Sequence, residues 1–351
     1  MNATAEASLV GRKIGLFGKG GSGKSTVSVL LAQSLQVSGY QVTLLDADST
    51  NVGLARALGI ENPPRSLMDF FGGAVFQGGE VSCPVDDPTV LEGAHLTWDD
   101  LPPDLRAESP SGVRYLVAGK ISDHGPGAGC DGPVAKIARD ISVGGGPPAD
   151  AANAMTGAPP DAATDDAPAV RWRPPVMIID FKAGFEDSAR GVVTGIDWGV
   201  VVVDPTTAGV QMAAAMHHMV EEIRRGVPPA TRHLESPEAV ELMNSLFRNA
   251  RIRGLSVVLN RVDSPDTEQY LHRALEEVGV DVDAIVPADS AIAGAWLRGE
   301  PIDPSTPAPT AGEGDTGSSA GARGAEAVQA GIHRLVGALE QAAHTLVKER
   351  I

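Results

Sequence analysis

Gly18-Lys19-Gly20-Gly21-Ser22-Gly23-Lys24-Ser25-Thr26 is the stretch whose reading decides the fold. It satisfies G-x-x-x-x-G-K-[ST], the phosphate-binding loop. The run before it, Lys13-Ile14-Gly15-Leu16-Phe17, reads as a short buried strand. After it, Val27, Leu30, Leu31 and Leu35 fall on one helical face. The motif therefore has the strand–loop–helix setting that its chemistry requires. Glycines let the backbone wrap closely round a polyphosphate, and successive N–H groups and the positive helix end face the anion. Nucleotide binding is assigned to Gly18, Gly20, Gly21, Ser22, Gly23, Lys24, Ser25 and Thr26. Within that set Lys24 is expected at the β/γ-phosphates and the Ser25 hydroxyl on Mg²⁺. The substrate is thus a nucleoside triphosphate.

Working outward, short apolar runs recur at 12–17, 41–46, 113–118, 176–180, 198–204, 255–260 and 284–287. Helical patterns lie between many of them, for example at 24–38, 209–225 and 266–278. Such alternation predicts an α/β three-layer sandwich with a mainly parallel sheet of roughly seven strands. Ligands then bind at the carboxyl ends of the strands. Residues 142–175 and 301–324 are rich in Gly, Pro, Ala and Asp. They are expected to be a disordered insertion and a disordered linker within one domain spanning 1–351. Val328, Ile332, Leu335, Leu339 and Leu346 predict a terminal helix over 325–351, packed on the sheet.

Of the 351 residues 42% are hydrophobic but only 4% aromatic, so the core is aliphatic, as suits strands buried on both faces. The formal net charge is −17, and two of only seven lysines lie in the phosphate loop. That balance argues against nucleic-acid or anionic-membrane partners, which need clustered Lys and Arg. Two cysteines, Cys83 and Cys130, make no disulfide framework. Neither a signal-peptide h-region nor a run of about 20 apolar residues is visible, and a cytoplasmic protein is expected.

Two strand ends carry acids. Asp46 and Asp48 lie one residue apart after the 41–46 strand. They can serve a bound Mg²⁺ and orient an attacking water, or form a polar turn that caps the next helix. Asp180 ends an apolar strand, the arrangement that contacts Mg²⁺ directly or through water. Gly184 then allows a backbone N–H to approach the γ-phosphate.

With its second lysine, Lys19, the loop resembles the deviant Walker A P-loop ATPases. That family includes division-site and chromosome-partition ATPases, the nitrogenase iron protein, and nickel-insertion ATPases of carbon monoxide dehydrogenase. The resemblance implies an ATP-dependent homodimer in which Lys19 crosses to the partner's nucleotide. It also implies that Asp48 positions or activates water and that Asp46 supports the metal and its waters. Asn260, ending V-V-L-N-R-V, is implied at the adenine amino edge, and Pro287-Ala288-Asp289 in the loop over the purine. The D-x-x-A-G-x-E segment from Asp180, with Arg190-Gly191 and the later Gly299-Glu300-Pro301, is similar to the nickel-insertion branch.

Gly125-Pro126-Gly127-Ala128-Gly129-Cys130-Asp131-Gly132-Pro133 is similar to a metal-binding C-x-C segment of that branch and to a cluster-binding segment of the iron proteins. Gly132 stands where the second Cys of C-x-C would be, and no Cys follows Asp180. Three readings of Cys130 stay open: a thiol in a tight interface loop, a Ni²⁺ or Zn²⁺ ligand aided by His124 or Asp131, or a redox group. Cys83 is assigned no role. The paired His217 and His218 read as helix surface. The leading expectation is an ATPase switch that assists metal-cofactor maturation of a client metalloenzyme. A spatial-positioning ATPase and an iron-protein-like electron donor are the alternatives.

Overall fold

The computed structural model describes residues 9–120, 130–144, 173–185, 188, 191–229, 236–303 and 317–348. Among the described residues ten strands form: β1 (Lys13–Gly18), β2 (Gln41–Ala47), β3 (His95–Leu96), β4 (Ala107–Glu108), β5 (Arg114–Val117), β6 (Ser142–Val143), β7 (Pro175–Phe181), β8 (Trp198–Val203), β9 (Leu255–Val262) and β10 (Ala284–Pro287). Eight of them build one sheet in the order β10-β9-β8-β1-β7-β2-β5-β4. All its pairs are parallel except β4 with β5. The expected seven strands are all present, and β4 makes the sheet eight-stranded. With only two residues, β4 leaves no alternation for a sequence pattern to show.

Each face of the sheet carries a core, and together they make three layers. On one face Phe17, Leu45 and Ile179 pack with Ile137, Met216, Phe247 and Leu271 from the helices Gly132–Asp140, Thr207–Arg224, Pro237–Arg248 and Pro265–Glu276. Thr206, Ser236 and Ser264 cap three of these helices, each accepting a backbone N–H of the first turn. On the other face Ile14, Leu16 and Leu44 pack with Val27, Leu30 and Leu31 of the helix Lys24–Val37 and with Val328, Ile332 and Leu335 of the last helix. The loop helix is therefore buried on more than the one face expected, because the last helix lies against it.

Three boundaries differ from expectation. Ser142–Val143 is not part of an insertion; it is β6, paired in parallel with β3. Residues 145–172 of that segment lie outside the described residues. The last helix is Gly317–Lys348, so it begins within the expected linker. Ile302, also within that linker, is buried; its N–H bonds the Ala57 carbonyl and its own carbonyl takes Gln33 Nε2 at 2.8 Å. Residues 304–316 lie outside the described residues. Among the described residues no helix is long and apolar enough to cross a membrane.

Candidate active site

β1, flanked by β7 and β8, delivers the phosphate loop to the carboxyl edge of the sheet. The ring of Phe17 stacks on Phe181 of β7 beneath it, with centroids 5.0 Å apart. Gly23 takes φ +87, a conformation in which L side chains are strained, and a Cβ there would overlap the Asn260 amide. Gly23 thereby starts the helix that carries Lys24 and Ser25.

Register brings Asp180 beside both Leu16 of β1 and Asp46 of β2. Asp180 is fully buried. Its Oδ1 accepts from Lys24 Nζ and Ser28 Oγ, both at 2.8 Å, and its Oδ2 from Ser25 Oγ at 2.7 Å. Asn51 Nδ2 donates to Ser25 Oγ at 2.9 Å. A hydroxyl and a carboxylate that meet next to a phosphate loop are the hard oxygen donors Mg²⁺ takes. The Ser22 Oγ, also buried, has no hydrogen-bond partner among the described residues.

Asp46 is buried as well. Its Oδ2 accepts Tyr115 OH at 2.8 Å and Lys120 Nζ at 2.7 Å. Its Oδ1 accepts the Asp48 N–H at 3.1 Å. Burial pushes its carboxyl up to about 6, against the opposing pull of Lys120. Lys120 also donates to the carbonyls of Asp48 and Asn51, so it fastens the loop after β2 from below. The Asp48 carboxylate lines the cleft and accepts Thr50 Oγ1 at 2.7 Å and the Thr50 N–H at 3.0 Å.

The cleft holds about 400 Å³, walled by Lys19, Gly21 to Thr26, Asp48 and Asn51 on one side and Arg261, Ala293 and Trp296 on the other. Sequence reasoning missed Arg261 and Trp296 as lining residues. The Trp296 indole N–H donates to Thr26 Oγ1 at 2.8 Å, and a Cβ on Gly53 would stand 2.8 Å from its ring. Arg261 Nη1 donates to the Gly21 carbonyl at 2.7 Å, and among the described residues it is the one non-glycine with a positive φ, 61°.

Several expected contacts are arranged differently. Lys19 pairs within its own chain, its Nζ 3.0 Å from Asp204 Oδ2. The Gly184 N–H is donated to the Gly18 carbonyl at 3.0 Å rather than into the cleft. Asn260 is buried and gives Nδ2 to the Ser22 carbonyl at 2.7 Å. Asp289 caps the helix Ser290–Arg298, accepting the N–H groups of Ala291 and Ile292. Asn260, Pro287 and Asp289 are thus not among the cleft-lining residues, although they stand next to that wall.

Beyond the cleft, Asp131 joins the two acid-bearing loops. Its carboxylate accepts Ser49 Oγ, next to Asp48, and pairs with Lys182 Nζ, two residues past Asp180. Its neighbour Cys130 is exposed. Among the described residues no group of three or more His, Cys, Asp and Glu side chains forms a metal cluster. His124, Glu186 and Arg190 lie outside the described residues. His217 and His218 sit on the helix Thr207–Arg224, half-buried and exposed.

Residues 16–302 match the CobQ/CobB/MinD/ParA nucleotide binding domain family. An uncharacterized ATP-binding protein of Methanocaldococcus jannaschii is 26% identical over 61% of this chain and 76% of its own. The carbon monoxide dehydrogenase accessory protein CooC of Rhodospirillum rubrum is 25% identical over 60% of this chain and 70% of its own. In fold, a chain of the MinC:MinD cell division protein complex of Aquifex aeolicus superposes with a TM-score of 0.51. It is 17% identical, over 93% of this chain and 96% of that one.

Proposed function

The chain belongs to the CobQ/CobB/MinD/ParA nucleotide-binding family of P-loop ATPases, and within it we propose a Mg²⁺-ATP-driven homodimeric switch that assists metal-cofactor maturation of a client enzyme. One observation carries the reading: Asp131, next to the exposed Cys130, is held by residues of both loops that flank the nucleotide cleft. A change at the γ-phosphate therefore has a direct route to the cysteine segment.

ATP enters with its phosphates in the loop. Lys24 exchanges Asp180 for the β/γ-phosphates, where its positive charge offsets developing negative charge. Ser25 and Asp180 would hold Mg²⁺, which supplies further charge neutralisation when bound. Asp48, on the cleft wall, orients water toward the γ-phosphate. Asp46, beneath it, fixes the Asp48 backbone and shares Lys120 with the same loop. Lys19 leaves Asp204 to reach the partner's nucleotide when two subunits close. The base lies toward Arg261 and Trp296, with Asn260, Pro287 and Asp289 behind that wall.

The test is metal stoichiometry in the anaerobically purified protein, loaded with ATP and Ni²⁺, Zn²⁺ or Fe²⁺, alongside Cys130→Ala. The expected result is ATP-promoted dimerisation, lost in Lys19→Ala, with bound metal that Cys130→Ala abolishes. Dimerisation without metal, together with ATP-dependent binding to DNA or anionic liposomes, would replace this reading with spatial positioning.

A further inference from the structure

Cys83 lies in an irregular acidic stretch, yet the fold sets it firmly beside the cysteine segment. Lys136, buried on the helix Gly132–Asp140, donates to Asp87 Oδ2 at 2.6 Å, to the Asp87 carbonyl at 3.0 Å and to Ser82 Oγ at 3.3 Å. The N–H groups of Asp86 and Asp87 both bond the Cys83 carbonyl, at 3.0 and 2.9 Å. Val81, beside this turn, packs in the same core as Val134 of that helix. The 82–87 turn is therefore fixed on the helix that Cys130 introduces.

The point of closest approach is Gly132. A Cβ added there would overlap Cys83 Sγ and stand 2.5 Å from Cys83 Cβ and 2.9 Å from Cys83 Cα. The Gly132 N–H donates to Cys130 Sγ at 3.2 Å. Both sulfurs thus border one residue, and Cys83 fills the volume that a side chain at position 132 would occupy. Neither sulfur is in a disulfide.

We propose that Cys83 and Cys130 form a two-thiolate site within one subunit for a single thiophilic cation. Binding converts two thiols to thiolates: M²⁺ displaces two protons and two metal–sulfur bonds form. Two protein ligands leave a four-coordinate cation with open positions, which suits a cargo to be handed on rather than a closed structural site. That the cation is cargo rests on the maturation reading; the dithiol itself rests on the packing at Gly132. Because Asp131 lies between Cys130 and Gly132 and is tied to Ser49 and Lys182, the site is set beside the nucleotide-sensing loops.

The experiment titrates the full-length reduced protein with Cd²⁺ and reads thiolate-to-metal absorbance. Phenylarsine oxide, which bridges only neighbouring thiols, is scored separately by intact mass. The expected result is one Cd²⁺ per chain and one bridging arsenical. Cys83→Ser and Cys130→Ser should each lower Cd²⁺ affinity at least about tenfold, the lower end of what changes around metal sites cost. Each should also abolish the bridge. Gly132→Ala keeps both thiols but displaces Cys83, so it should weaken both readouts while ATP hydrolysis persists. If Cys83→Ser binds Cd²⁺ like wild type while Cys130→Ser does not, the dithiol is overturned and the maturation reading survives on Cys130 alone. If the arsenical bridges but Ni²⁺, Zn²⁺ and Fe²⁺ are all refused with ATP present, the dithiol stands and the maturation reading falls. Absence of both Cd²⁺ binding and bridging overturns the site outright.

Discussion

The floor of the phosphate loop and the Cys130 edge serve the same two loops but are held in opposite ways. At the floor, Asp180 is fully buried and takes three donors from one helix. At the edge, the half-buried Asp131 takes donors from two separate loops, Ser49 Oγ and Lys182 Nζ. In a low-dielectric interior an unmatched charge is costly, so the floor changes only when a ligand brings replacement charge. Where water reaches the pair, as at the half-buried edge, the same kind of contact is weaker and rearranges more readily. On the proposed reading the floor would register the nucleotide and the edge would relay it.

Lys24→Met tests this contrast most severely. Without its partner Asp180 is left buried and uncompensated, at a cost of about 3–5 kcal/mol. ATP hydrolysis should also fall on the order of 10²–10³-fold, the scale for loss of one transition-state charge partner. Denaturant unfolding of the nucleotide-free protein gives the first quantity; unchanged stability would remove the distinction between floor and edge.

Asp46 offers a subtler probe of the floor. Its folded carboxyl, at about 6, lies above the ordinary value of 3.8. The folded state therefore holds this proton more tightly than the unfolded state, and stability drains away as pH rises from about 4 to about 6. The difference amounts to roughly 2–3 kcal/mol. Asp46→Asn has no such proton, so wild-type stability minus variant stability should decline through that window and level off above it. A flat difference would mean that Lys120 balances burial, and a difference that rises with pH would mean that it outweighs burial.

Smallest is Asp131→Ala. A half-buried pair at the edge of the fold contributes on the order of 1 kcal/mol, so the melting transition should shift only a little. Basal hydrolysis should persist, while the effect of ATP on Cys130 alkylation should vanish. Retention of that effect would show that the edge receives its signal by another path.

Much of the floor is legible from sequence because its parts are contiguous or end apolar strands. Gly18 to Thr26 form one unbroken motif, and Asp180 closes a run of five residues whose character is plain. Lys120 is not legible, since nothing in a lone lysine after β5 says that it reaches Asp46, Asp48 and Asn51. Cys83 escapes for a similar reason. Its position depends on Lys136 drawing in Asp87, a long-range ion pair without periodicity. Trp296 is not legible either, since its indole reaches Thr26, 270 residues away in sequence, only through the packing of the helix Ser290–Arg298 beside the cleft. Asp289 likewise ends a strand loop as expected, yet its carboxylate serves the first turn of that helix.

Lys19 carries a consequence for how association should respond to ionic strength. Its ammonium is already matched by Asp204 in the single subunit. Closing two subunits would then swap one ion pair for another instead of creating a new one. Screening weakens the lost and the gained pair alike. The Lys19 exchange should accordingly add little to the salt dependence of ATP-driven dimerisation, which the −17 charge of each chain otherwise sets, and replacing Asp204 with Asn should shift that dependence toward weakening by salt.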